Sequence, residues 1–150
     1  MSTTLYGAAL AEAYDALNDG IDYEKICDFL LECVKKHSDI EVKDICEAAC
    51  GTGSMACALA RRGYHVVASD LSEDMLSAAD RKANAQGLPI RFVLQDMRRS
   101  VMYAQKDLYL CLLDSMNYLL TKDDILSALS SAKSCLKPGG LFIFDMNSKK

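Results

Sequence analysis

A carboxylate directly before a glycine-rich turn is the feature of this chain with the clearest chemical meaning. Glu47 is followed by the run Ala48-Ala49-Cys50-Gly51-Thr52-Gly53-Ser54. Gly51 and Gly53 tolerate positive φ, and they leave the backbone bare for the approach of a ligand. Apolar residues on either side predict a strand before the turn and a helix after it. This order of elements is typical of sites that bind nucleotide cofactors.

A second carboxylate follows at the distance that such a site requires. Asp70 comes roughly 20 residues after the turn, the usual spacing of an acidic residue that binds a ribose. It ends the apolar run Tyr64 to Ala68, which predicts a second strand. We therefore expect Asp70 to accept hydrogen bonds from both ribose hydroxyls of the ligand.

The position of Glu47 favours one kind of cofactor. Gly51, Gly53 and Ala56 satisfy the GxGxxA pattern of nicotinamide and flavin sites, but those sites present helix N–H groups to a pyrophosphate, which Glu47 would repel. No lysine follows the second glycine, which argues against a P-loop. S-adenosylmethionine carries no phosphate and has a cationic ammonium and sulfonium. It is the predicted cofactor, and an NAD-dependent oxidoreductase is the less favoured alternative.

The elements around these residues alternate between helix and strand. Asp22, Ser72 and Thr121 are predicted to cap helix N-termini, and Gly63 and Gly87 to end helices. The predicted strands cover 42–46, 64–70, 90–94, 108–113 and 141–146, the last one following the turn Pro138-Gly139-Gly140 after a helix that runs through Leu136. Strands separated by helices predict an α/β fold, a Rossmann-like doubly wound parallel sheet with strand order 3-2-1-4-5 and N-terminal helices.

Five stretches in this order resemble the class I S-adenosylmethionine-dependent methyltransferases. They are EAACGTGS, SDLSEDML, FVLQDMR, DLYLCLLDSMNYLL and LKPGGLFIFDMNS. The chain is most similar to bacterial small-molecule methyltransferases that begin with a helical segment containing Tyr-Asp, here Tyr14-Asp15. The resemblance implies a helical segment or lid over residues 1–40 and a cofactor-binding core over residues 41–150.

Ligands of such sheets lie beyond the carboxyl ends of the strands, where the strand order reverses. We therefore expect the glycine turn to hold the methionine part of the cofactor, and Leu71 and Met75 to flank the adenine, although Met75 could equally be a core residue. The resemblance implies that Asp96 and Met97 contact the adenine edge, Asp96 by accepting from its amino group. The predicted cofactor-binding residues are Tyr14, Glu47, Cys50, Gly51, Gly53, Asp70, Leu71, Met75, Asp96, Met97 and Leu112.

Tyr14 has two interpretations of equal weight. Its ring could cover the sulfonium in a cation–π contact. It also shares an apolar helical face with Leu10 and Leu17, which predicts simple packing.

Methyl transfer from a sulfonium is a direct displacement, so the enzyme chiefly aligns the reactants. No catalytic acid or base is predicted. Asp114 and Tyr118 are the nearest candidates if the acceptor must lose a proton, and Asp114 could equally cap a turn. The segment 114–117 lacks the Asn/Asp-Pro-Pro-aromatic signature of methyltransferases that act on amide or base nitrogens, so a small-molecule acceptor is expected.

Composition limits the partners. The net charge of −4 and the pI near 5.1 argue against nucleic acid, and the pairs Arg61-Arg62 and Arg98-Arg99 are predicted to be solvated. No signal peptide or membrane-spanning run is predicted, which indicates a cytoplasmic protein. The seven cysteines form no CxxC pair and predict no metal site. They are expected to be free and buried in a reducing compartment.

The C-terminal side predicts an uncovered sheet. Class I methyltransferases usually continue into two further strands, whereas this sequence stops at residue 150, after the predicted fifth strand. Residues 141–144 would then lie on an exposed edge. Either the chain is part of a longer protein, or a second copy or another chain covers the edge. A noncatalytic S-adenosylmethionine-binding subunit or fragment therefore remains an alternative function.

Overall fold

The computed structural model describes residues 8–113 and 115–146. Asp114, the candidate acid or base, lies outside the described residues. The helices are α1 (Ala8–Leu17), α2 (Tyr23–His37), α3 (Ser54–Arg61), α4 (Glu73–Ala85) and α5 (Lys122–Cys135). The strands are β1 (Asp44–Ala48), β2 (His65–Asp70), β3 (Arg91–Leu94), β4 (Lys106–Cys111) and β5 (Leu136–Phe144). Short 3-10 helices cover Met97–Arg99 and Ser115–Tyr118.

The five strands form one parallel sheet in the order β3-β2-β1-β4-β5, which confirms the predicted fold class. β1 is central: Cys46 pairs with Val67 on one side and with Tyr109 on the other. β2 and β4 lie on opposite sides of β1, so the strand order reverses between β1 and β4. The crevice of this fold therefore lies beyond the carboxyl ends of these two strands.

Helices cover both faces of the sheet. Ile45, Leu108 and Leu110 pack with residues of α2 and α3 on one face. Cys46 and Tyr109 pack against α5 on the other face. Both faces of β1 and β4 are therefore buried, as expected for central parallel strands. Six of the seven cysteines are buried, as expected of small core residues, and Cys33 is partly exposed.

The predicted helix boundaries are largely confirmed. The side chains of Asp22, Ser72 and Thr121 each accept a backbone N–H from the first turn of the helix that follows. Gly63 and Gly87 adopt positive φ directly after α3 and α4. Helix caps favour particular residue types, so these helix ends could be predicted from the sequence.

The start of β5 was predicted wrongly. α5 ends at Cys135, and β5 begins at Leu136 rather than at Leu141. Lys106 of β4 pairs with Leu136, but the next pair joins Leu108 to Leu141, so the predicted turn at Pro138-Gly139-Gly140 is an outward bulge inside one strand. Gly139 permits it through a φ of 83°.

Three of the four paired arginines make ion pairs in addition to being partly exposed, and Arg99 is exposed as predicted. Arg61 and Arg62 bind Glu24, and Arg62 also binds Asp28, so both arginines fasten α3 to α2. Arg98 binds Asp96 and Asp124 in the same way. Such exposed pairs add little to stability, but they connect neighbouring elements.

β5 forms one edge of the sheet, as predicted, and Phe144 near its end is 41% exposed. None of the helices in the described ranges has the length and apolar character needed to cross a membrane.

A buried carboxylate fastens the amino-terminal ends of the central strands. Asp107 of β4 is 4% exposed. Its Oδ2 accepts the backbone N–H groups of Lys43 and Asp44, each at 2.9 Å, and its Oδ1 accepts from Lys137 Nζ at 2.9 Å. One side chain thereby joins β1, β4 and β5 at the end of the sheet opposite the crevice.

Asp107→Ala should lower the free energy of unfolding by about 2–4 kcal/mol, because two backbone N–H groups lose their acceptor. Asp107→Asn keeps an oxygen for those two groups and should lose clearly less. Urea denaturation followed by circular dichroism measures both. Equal stability of the wild type and the alanine variant would contradict this role.

Candidate functional site

Two adjoining cavities lie at the carboxyl ends of the central strands. The larger has a volume of about 250 Å³ and the smaller of about 30 Å³. The larger is lined by Tyr14, Ala49, Gly51, Asp70, Leu71, Met75, Gln95, Met97, Leu113, Ser115 and Tyr118. The smaller is lined by Tyr14, Tyr23, Glu47, Ala49, Cys50, Thr52, Ser54, Met55, Leu112, Leu113 and Ser115. Since the two share four residues, we treat them as one crevice.

The crevice collects most of the predicted cofactor-binding residues. Those that line it are Tyr14, Glu47, Cys50, Gly51, Asp70, Leu71, Met75, Met97 and Leu112. Gly53 and Asp96 do not line it. Their roles toward a ligand, like those of the other nine, remain predictions.

Glu47 is a buried acid without a full set of partners. It is 3% exposed, on the face of β1 that α2 and α3 cover, and its Oε1 has no hydrogen-bond partner. Burial, together with the nearby Asp70 charge, raises the pKa of Glu47 to about 8, although a backbone hydrogen bond at Ala56 opposes the rise. A cation beside this carboxylate would remove much of the cost of ionising it.

Asp70 has a role that the sequence analysis missed. Its Oδ2 accepts the backbone N–H of Gly51 at 2.8 Å, and its Oδ1 accepts that of Ser72 at 2.9 Å. The predicted ribose acceptor therefore also fixes the glycine turn against the end of β2. Each carboxylate oxygen can accept a second hydrogen bond, so ribose hydroxyls can still be bound.

The two glycines of the turn serve different needs. A Cβ on Gly51 would lie 3.7 Å from the Tyr14 ring, so this glycine lines open space beside the aromatic side chain. A Cβ on Gly53 would lie 3.0 Å from the Cβ of Ala79 and 3.3 Å from Phe92. Gly53 is thus required for packing against α4 and β3, and both residues have positive φ.

Backbone strain marks the ends of β1 and β4. Ala49 and Leu113 adopt positive φ, 53° and 58°, and both line the two cavities. Residues with a side chain rarely adopt this conformation, and such strain concentrates at functional sites. The sequence carried no signal for it, because neither alanine nor leucine favours positive φ.

The loop after β3 brings an additional residue, Gln95, to the larger cavity. Arg98 hydrogen-bonds the Asp96 carboxylate through its backbone N–H at 2.9 Å and its guanidinium at 2.6–3.1 Å, which lowers the pKa of Asp96. Gln95 lines the larger cavity, and its amide group bridges to the backbone of Val101. The contact of Asp96 with an adenine stays a prediction, and Gln95 was missed because spacing alone does not fix which way a loop side chain turns.

Aromatic residues surround the crevice. Tyr14 lines both cavities, and burial raises its pKa, with the nearby Tyr23 and Tyr118 adding to the rise. Tyr23 lines the smaller cavity and was not among the predicted site residues. Tyr118, the second candidate acid or base, lines the larger cavity and is 69% exposed.

Outside the crevice, the described residues form no second candidate site. A wider groove of about 620 Å³ runs between residues 98–101 and α5, and it contains none of the predicted site residues. Within the described ranges, no three His, Cys, Asp or Glu side chains are grouped so that they could hold a metal ion.

Known proteins match this arrangement in both structure and sequence. A crystal structure of an S-adenosylmethionine-dependent methyltransferase from Clostridium acetobutylicum ATCC 824 superposes with a TM-score of 0.82 and 34% identity, covering 97% of this chain and 58% of that one. The fold is therefore a Rossmann-like methyltransferase fold. A family model described as a methyltransferase domain matches residues 45–140.

Sequence relatives agree with the structure. A Geobacillus sp. (strain WCH70) protein, whose name assigns it provisionally to the methyltransferases, is 35% identical over 135 residues, covering 90% of this chain and 55% of the relative. A glycine/sarcosine N-methyltransferase of Halorhodospira halochloris is 29% identical over 140 residues, covering 89% and 51%. The chain spans about half the length of these curated relatives. It belongs to the class I S-adenosylmethionine-dependent methyltransferase family, which confirms the resemblance.

The raised pKa of Glu47 makes the stability of the free chain depend on pH. The unfolded chain ionises this group near its ordinary value of 4.5, whereas the folded chain keeps the proton to about pH 8. Its contribution to stability is therefore complete below the unfolded pKa and is lost as pH rises through the folded one.

Glu47→Gln should remove this loss. We expect its melting temperature to exceed that of the wild type by a larger margin near pH 9 than near pH 5, because only the wild type must ionise a buried group. Differential scanning calorimetry at the two pH values measures the margin. The same margin at both would mean that Glu47 ionises normally.

Proposed function

We propose that the crevice binds S-adenosylmethionine and that this chain forms the cofactor-binding part of a methyltransferase that acts on a small-molecule acceptor. The observation that carries the proposal is the buried Glu47 carboxyl, whose Oε1 lacks a partner inside the crevice wall. The ammonium of the cofactor supplies the charge and the hydrogen-bond donor that this group lacks.

The lining of the two cavities supports the assignment of a different part of the cofactor to each cavity. Leu71, Met75 and Met97 provide apolar surface around Asp70 in the larger cavity, a setting that suits an adenosine. Glu47 and the backbone of the glycine turn border the smaller one, which suits the amino-acid part.

Charge disfavours a dinucleotide. The charge of Asp70 already raises the pKa of Glu47. A pyrophosphate would add further negative charge near both acids and would supply no cation to ionise Glu47. This is the basis for preferring S-adenosylmethionine to NAD.

Catalysis in this proposal depends on positioning. S-adenosylmethionine supplies a methyl group already activated by a positive sulfur. The protein holds the donor at the mouth of the crevice, orients it through Glu47 and Asp70, and limits access of water with the Tyr14 ring. Alignment of this kind can supply a large part of the rate enhancement without a side-chain acid or base.

The acceptor is proposed to be a small molecule. The relative from Halorhodospira halochloris is named for methylation of glycine and sarcosine, and the chain carries a net charge of −4, which does not suit a nucleic acid. Because the chain spans about half of such relatives, transfer is proposed for the whole protein, in which a further segment or partner chain covers the edge strand β5.

Calorimetric titration tests the cofactor directly. The wild-type chain should bind S-adenosylmethionine and not NAD, and Glu47→Gln should weaken binding roughly ten- to hundredfold because a charged partner is lost. The exposed acid Glu73 offers a matched control, since Glu73→Gln removes the same charge outside the crevice. Preference for NAD, or equal affinities of both glutamine variants, would overturn the proposal.

Asp70→Ala should weaken S-adenosylhomocysteine binding by about 1.5–3 kcal/mol, because a charge-assisted acceptor for the ribose is lost and the Gly51 N–H is released. Asp70→Asn retains one acceptor oxygen and should lose less. The same calorimetric titration reports both values. Unchanged affinity of the alanine variant would show that Asp70 does not contact the ligand.

A further inference from the structure

Four polar side chains outside the proposed chemistry connect α1 to the glycine turn. Asp15 of α1 accepts from Thr52 Oγ1 at 2.6 Å through its Oδ1 and pairs with Lys82 of α4 at 2.5 Å through its Oδ2. Lys82 Nζ also lies 3.1 Å from Thr52 Oγ1 and 2.8 Å from Ser54 Oγ. We call this set, Asp15, Lys82, Thr52 and Ser54, the α1 clasp.

The α1 clasp is partly shielded from solvent. Thr52 is 1% exposed, and only 21% of the Lys82 side chain is accessible. Burial raises the pKa of Asp15, but hydrogen bonds and charge from Lys82 and Thr52 outweigh this and lower it. Asp15 is therefore ionised at neutral pH, where its ion pair with Lys82 is complete.

The α1 clasp lies next to Tyr14 in α1. Tyr14 precedes Asp15 directly, and its ring closes one side of both cavities beside Gly51. The other fixed point nearby is Asn18, whose side chain and backbone N–H both bind the Tyr14 carbonyl. That contact is internal to the end of α1, so it cannot hold the helix against the rest of the protein.

We propose that the α1 clasp is a latch that holds α1 closed over the crevice and sets the rate at which the bound cofactor leaves. Asp15, Lys82 and Thr52 act here as positioning residues, since they act through Tyr14. The cofactor part of this inference rests on the proposed function. The closure of α1 is independent of the proposed function, because the α1 clasp is formed by residues of this chain without a ligand.

Opening requires the loss of the ion pair between Asp15 and Lys82 and of the hydrogen bonds that the Thr52 and Ser54 hydroxyls donate to Asp15. Both Asp15 oxygens are engaged, so movement of α1 would expose Lys82 and leave the buried Thr52 hydroxyl with fewer partners. Screening by salt weakens a partly exposed ion pair. The rate of opening should therefore increase with ionic strength in the wild type and lose this dependence when either charge is removed.

The first measurement uses the ligand-free chain. Hydrogen–deuterium exchange of the backbone amides in 8–17 should be about tenfold faster in Asp15→Asn and in Lys82→Met than in the wild type, because local opening becomes easier. Glu24→Gln is the matched control: it removes the contacts of Glu24 with Arg61 and Arg62 between α2 and α3, away from α1. Unchanged exchange in the Asp15 and Lys82 variants would overturn the latch.

The second measurement uses ligand. By surface plasmon resonance, S-adenosylhomocysteine should dissociate roughly five- to twentyfold faster from Asp15→Asn and Lys82→Met, whereas Glu24→Gln should match the wild type. The double variant should be no faster than the single ones, because the two charges form one interaction. Thr52→Val should give a smaller increase. Additive effects of the two charge changes, or unchanged dissociation with normal binding, would overturn the latch.

The two proposals fail in different ways. If the wild type binds no S-adenosylhomocysteine, the cofactor assignment is wrong, and exchange in 8–17 still decides whether the clasp holds α1. If the ligand binds while both exchange and dissociation are unaffected, the cofactor assignment stands and the latch is wrong.

Discussion

The buried carboxyl of Glu47 is the constraint around which the crevice is organised. An acid on the core face of a central strand is costly to ionise, and Oε1 lacks a partner to offset that cost. Replacement by an apolar residue would suit the core better. The burial of this acid is explained if a cationic ligand pairs with it, and Glu47 lines the smaller cavity of the crevice.

Groups around Glu47 fix the geometry of the crevice. Asp70 ties the Gly51 N–H to the end of β2, so the glycine turn cannot collapse into the cavity. Ala49 and Leu113 accept strained backbone conformations at the ends of β1 and β4. α1 is fastened across the opening by Asp15. A rigid cavity with a fixed charge pays little reorganisation cost when a ligand binds.

The sequence predicted features that depend on a residue type at a fixed place, and it missed those that depend on packing. Strand order and the caps at Ser72 and Thr121 followed from periodicity and local hydrogen bonding. The early start of β5 was missed because pairing with Lys106 overrides a Pro-Gly-Gly turn signal. Gln95 was missed in the lining because the direction of a loop side chain depends on its contacts, here the hydrogen bonds between its amide group and the backbone of Val101.

The central claim is that Glu47 is protonated in the free chain and ionised when a cationic ligand is bound. Carbon-13 NMR of the glutamate side-chain carboxyl carbons, with the Glu47 signal assigned through Glu47→Gln, measures this directly. The account predicts a pKa of about 8 without ligand and a marked decrease when S-adenosylmethionine is saturating. An ordinary pKa in the free chain, or a carboxyl that stays protonated with ligand bound at neutral pH, would contradict it.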